Sequence, residues 1–84
     1  MLPVDFVIER MTTLCKQRNI TMNQLATMSG LSHTTVDSII HGRSKNPQLH
    51  TLMRIAIALN MTVSEFLAIP ELDNYSLEDL FDEE

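Results

Sequence analysis

Four short polar side chains, His33, Thr34, Asp37 and Ser38, recur at a spacing that gathers residues along one side of a helix. Their chemistry is hydrogen bonding. An imidazole or a hydroxyl donates or accepts, and a carboxylate accepts. Such groups can meet the polar edges of nucleic-acid bases, and the threonine methyl can pack against thymine. Just beyond them lies a basic, polar run, Arg43, Ser44, Lys45 and Asn46, of the kind that binds phosphate oxygens. No carboxylate pair, nucleophile with its base, or glycine-rich phosphate loop accompanies them, so no catalytic residue and no enzyme is expected. The single cysteine, Cys15, makes neither an internal disulfide nor a metal site, and no cofactor is implied.

These residues need a scaffold, and apolar spacing with helix punctuation supplies an all-α one. Val4, Val7, Met11 and Leu14 predict a helix over 3–18 with Pro3 in its first turn. Thr21 and Gln24 form a capping box that opens a helix at Met22, ending before Gly30. Ser32 caps a helix over 33–41, which Gly42 closes. Leu49, Leu52/Met53, Ile55/Ala56 and Leu59 predict a fourth helix, with Gln48 a poor cap. Thr62 and Glu65 form a second capping box and open a fifth helix through Ala68, stopped by Pro70. Asn19 and Asn60 stand where left-handed turn residues are needed. Met11 and Met53 are expected in the core, as is Cys15.

The helices of 22–41 carry the spacing of a helix-turn-helix. Two helices crossing closely need a small residue in the first, here Ala26, and a permissive turn, here Gly30. Leu31, Val36 and Ile39 then face inward, leaving His33, Thr34, Asp37 and Ser38 outward. Residues 8–69 resemble the phage-repressor/Cro-like (xenobiotic-response-element type) helix-turn-helix family. The pattern is Leu25-Ala26, Gly30-Leu31-Ser32, Val36, Ile39 and Gly42, then Ser44-Lys45-Asn46-Pro47 and Leu52, Ile55-Ala56 and Ala58-Leu59.

That resemblance implies a five-helix, lambda-repressor-like domain over 1–69 and a transcriptional regulator, usually a repressor, bound to double-stranded DNA. It places His33, Thr34 and Ser38, with Asp37 beside them, at base-contacting positions in the major groove. Phosphate contacts are expected from Thr21, from the amide end of the helix begun by Met22, and from Arg43, Ser44, Lys45 and Asn46. It further implies a homodimer on a palindromic operator, for which helix five and adjacent apolar residues such as Phe66, Leu67 and Ile69 are the expected dimer surface. None of the four base-facing residues is an arginine or glutamine, so sequence-dependent DNA shape is expected to carry much of the specificity. The family's glutamine at the start of the first motif helix is replaced by Met22. A frequent ion pair between the first and recognition helices is replaced by Cys15 and Ile40, predicted to touch.

Charge divides the chain. The net −5 conceals a body over 1–69 with six bases and four acids, net +2, and a tail over 70–84 with seven acids and no base. In the tail, Ser76 to Asp79 resembles a capping box, and Leu77, Leu80 and Phe81 share one face of a short helix; the segment is expected either to fray under its own charge or to dock on a protein partner or back on the body. The acidic tail and Asp37 also suit a rival role, a helix-turn-helix used as a protein-binding or antitoxin-like module. No basic-then-apolar leader or spanning stretch is present, which predicts a cytoplasmic protein without membrane contact.

Overall fold

The structure, a computed structural model, describes residues 1–81, and among them it holds helices joined by turns and no strand. The helices are α1 (Pro3–Gln17), α2 (Met22–Ser29), α3 (His33–Ile40), α4 (Leu49–Ala58), α5 (Val63–Phe66) and α6 (Leu77–Phe81), with a 3-10 turn at Pro70–Asn74 before the last. The capping boxes form. Thr21 Oγ1 accepts from the Gln24 amide at 3.1 Å while Gln24 Oε1 accepts from the Thr21 amide at 2.7 Å. Thr62 and Glu65 repeat the exchange at 3.1 and 2.9 Å, and those bonds to its ionised form hold the Glu65 carboxyl below its ordinary range. Gln48 makes no side-chain cap, as its type suggests. Helix α5 stops two residues short of Ala68. Ile69, constrained by the following proline, is extended at φ −117° and ψ 108°.

Four helix ends close in one way. Asn19, Gly30, Gly42 and Asn60 take positive φ of 55°, 68°, 76° and 59°. The next amide then reaches back over the turn: Ile20 to Cys15, Leu31 to Ala26, Arg43 to Ser38 and Met61 to Ala56, at 2.9–3.0 Å. After three of these turns the residue is apolar and packs against the core, as Ile20, Leu31 and Met61 do. After α3 it is Arg43, which is exposed.

The core draws on five helices. Val7, Met11 and Leu14 of α1 meet Leu25 and Ala26 of α2, Val36 and Ile39 of α3, Ile55, Ala56 and Leu59 of α4, and Phe66 of α5. Two expectations are corrected here. Phe66 is fully buried and Ile69 nearly so, which removes both from any dimer surface. Arg10 explains the anchoring, because its guanidinium donates to the Phe66 and Glu65 carbonyls at 3.2 and 3.0 Å and ties α1 to the end of α5. Met53, expected inside, points outward with Leu49 and Ile57, and these three are 42, 62 and 70% exposed. They lie four residues apart, so α4 shows one unpartnered apolar stripe.

Residues 70–75 do not trail away. Their 3-10 turn packs on α1, the Tyr75 ring meets Phe6 edge-on at 6.3 Å, and its hydroxyl donates to the Met1 carbonyl. In α6, Ser76 and Asp79 cap the helix, leaving Leu77, Leu80 and Phe81 exposed.

Cys15 is buried, its thiol 3.8 Å from the Met22 sulfur, and Ile40 is half-buried against the same core. Burial pushes the thiol's pKa above its ordinary value, partly offset by Arg18. The raised value stabilises the fold while the thiol is protonated, and that contribution is lost as pH rises past the ordinary thiol range. Alkylation of Cys15 near neutral pH is therefore expected to proceed only as fast as the domain opens. Native labelling as rapid as that of a denatured chain would show the thiol accessible.

Candidate nucleic-acid interface

The interface is built on the α2–α3 pair. Ala26, with no exposed surface, lets α2 and α3 approach closely, and Gly30 turns the chain between them. A Cβ on Gly30 would stand 3.0 Å from an Arg54 nitrogen, in addition to the left-handed backbone cost. Ser32 then caps α3 by accepting from the Thr35 amide at 3.1 Å. With Val36 and Ile39 locked inward, the opposite side of α3 faces solvent.

On that side His33, Thr34 and Asp37 are exposed and Ser38 is half-buried. His33 is steadied from α2 by a 3.3 Å contact between its Nε2 and Thr27 Oγ1. Asp37 stands at the centre of a cluster. Its Oδ2 accepts from Arg43 Nη2 at 2.8 Å, and its Oδ1 lies 3.0 Å from His41 Nδ1. His41, at the C-terminal end of α3, thus joins this face. The cluster balances the acid that an interface for phosphates would otherwise repel.

The expected phosphate-binding residues divide into two places. At the start of α2 the capping box engages Thr21 and Gln24, while helix geometry leaves the Met22 and Asn23 amides without an intrahelical acceptor. The Met22 side chain turns inward to Cys15, so only its backbone is available there. In the loop after α3, Lys45 and Asn46 are exposed and Ser44 is half-buried. Ser44 and Asn46 line a cleft with Leu31 and Thr35. Arg43 is drawn onto α3. Two further cations are committed elsewhere: Arg10 to α5, and Arg54 to His50 at 2.9 Å and, more loosely, to the carbonyls that end α2.

The arrangement presents exposed hydrogen-bonding groups on α3, backbone amides at the start of α2 and the exposed Lys45 after α3. Among the described residues there is no cluster of metal-ligating side chains and no helix long and apolar enough to cross a membrane. Comparison with known proteins agrees with the geometry. The family model for Cro/C1-type HTH DNA-binding domains matches residues 10–71. The chain belongs to that family. This Cro/C1-type domain is 30% identical over 60 residues to RghRB of Bacillus subtilis (strain 168), described as an uncharacterized HTH-type transcriptional regulator. That match covers 71% of the chain and only 43% of the relative's length. Among solved structures, the crystal structure of the prophage Lp1 protein 11 superposes with a TM-score of 0.76 at 33% identity, over 86% of this chain and 95% of that one. Cro/C1-type regulators are DNA-binding proteins and not enzymes, and the resemblance read from the Leu25–Leu59 pattern is the correct one.

Proposed function

We propose that this Cro/C1-type domain is a cytoplasmic repressor that lays α3 in the major groove and works as a homodimer on a palindromic operator. The observation that carries the reading is the open side of α3. His33, Thr34 and Asp37 project from a helix whose other side is locked into the core, with Ser38 at the margin. Phosphates are held by the Thr21 and Met22 end of α2 and, in the loop after α3, by Ser44, Lys45 and Asn46. A two-fold dimer needs a self-complementary patch, and the uncharged stripe of Leu49, Met53 and Ile57 supplies one. Dimerisation sets two recognition helices about 34 Å apart, one DNA turn. The acidic, apolar face of α6 is the surface for a protein partner.

Binding to random duplex at low salt tests the DNA reading. Affinity should fall steeply with added salt, and Lys45→Ala should weaken all sequences alike while flattening the log–log salt slope by about one. If no duplex binds at low salt, the protein-binding alternative takes its place. A loss confined to one sequence in Lys45→Ala would remove Lys45 from the phosphate contacts.

A further inference from the structure

The end of α3 departs from the other three helix ends of the same type, and the departure has a purpose. The turn at Gly42 brings the Arg43 amide to the Ser38 carbonyl and so folds the loop back along α3. The motif favours an apolar residue after such a turn, and Ile20, Leu31 and Met61 meet it. Arg43 instead carries its guanidinium across to Asp37, on the side of α3 that faces solvent. Both side chains stay open, 60% and 54% exposed, and an exposed pair of this kind, screened by water, adds little to stability. Stability is therefore a weak reason for it. Orientation is a better one.

We propose that Arg43 is a base-reading residue, held by Asp37 so that its guanidinium addresses a guanine in the major groove. Asp37 occupies one donor of Nη2 and fixes the plane of the group. The other donors of that planar fork remain and match the paired acceptors O6 and N7 of guanine. No other pair of bases in the duplex offers two acceptors to a fork so placed on one base edge. His41, against the second carboxylate oxygen, keeps Asp37 from swinging away. The domain thereby gains the bidentate reader that His33, Thr34 and Ser38 do not provide. This inference rests on the proposed entry of α3 into the major groove.

The test selects bound duplexes from a random pool with the full chain. Affinities for the selected site and its single-base variants are then measured for wild type, Arg43→Lys and Asp37→Ala. Wild type should require one guanine in each half-site and lose about 5- to 150-fold when that pair is replaced. Arg43→Lys keeps the charge and loses the fork, so its preference at that pair should drop to about threefold or less. Asp37→Ala should lose the same preference. Unchanged guanine preference in Arg43→Lys would make Arg43 a phosphate contact and overturn the proposal. So would an equal gain of affinity for every duplex in Asp37→Ala, since Asp37 would then only withhold Arg43 from DNA. Absence of binding by wild type to any duplex would instead sink the DNA reading beneath it.

Discussion

Phe66→Ala is expected to cost about 3–5 kcal/mol of folding stability, the usual range for removing a phenyl ring from a closed core. A domain of 84 residues has roughly 4–13 kcal/mol in total, so the loss is a large share of it, and at the low end of that range the variant would be largely unfolded. The cause is local. Phe66 is 0% exposed and is the only large side chain of the four-residue α5 to reach the core, and Arg10 fixes the carbonyl of the same residue. Denaturant unfolding followed by circular dichroism measures the loss, and an unchanged slope against denaturant would confirm that only stability moved. A cost below about 1 kcal/mol with a changed oligomeric state would return Phe66 to an intermolecular surface.

The opposite profile is expected at the α4 stripe. Ile57 is 70% exposed, so Ile57→Glu should leave monomer stability within about 0.5 kcal/mol. Placed against its symmetry mate, the new carboxylate would confront another carboxylate and an apolar wall, and pairing should fail. Two linked half-site contacts typically exceed one by about 10²- to 10⁴-fold, and that factor should vanish from operator binding while isolated half-site affinity is retained. Sedimentation reads the first effect and a polarisation titration the second. A variant that still sediments as a dimer would move the interface away from α4.

The contrast between these two positions shows what could be read from the chain alone. Local features were legible because they depend on neighbours in sequence. The two threonine capping boxes, the left-handed turns at Asn19, Gly30, Gly42 and Asn60, and the small Ala26 all have short-range causes. Facing was harder. Helix α4 is apolar almost all round, with Leu49, Leu52, Met53, Ile55, Ala56, Ile57 and Leu59, so its pattern does not say which side meets α2 and α5. Met53 was misplaced for that reason. Phe66 was misplaced because a helix of one turn has no measurable periodicity, and its partner Arg10 lies 56 residues away. On the α3 face, the outward positions of His33, Thr34 and Asp37 followed from the position of Ala26 and Val36. The Asp37–Arg43 pair did not, because it requires the direction of the chain after Gly42.

The strap formed by Tyr75 gives the domain an order of opening. Its hydroxyl and ring join the first and last turns of the chain, a contact spanning 74 residues, whereas α2, α3 and α4 are held by neighbours close in sequence. Because α1 is already docked on the core and tied to α5 by Arg10, the strap closes only a short further loop, and no residue of the 3-10 turn is buried to hold it. The seam between α1 and the 3-10 turn is accordingly the first to part, while the recognition pair persists. The segment that carries α6 can then come away from α1 without disturbing the packing of α2 against α3.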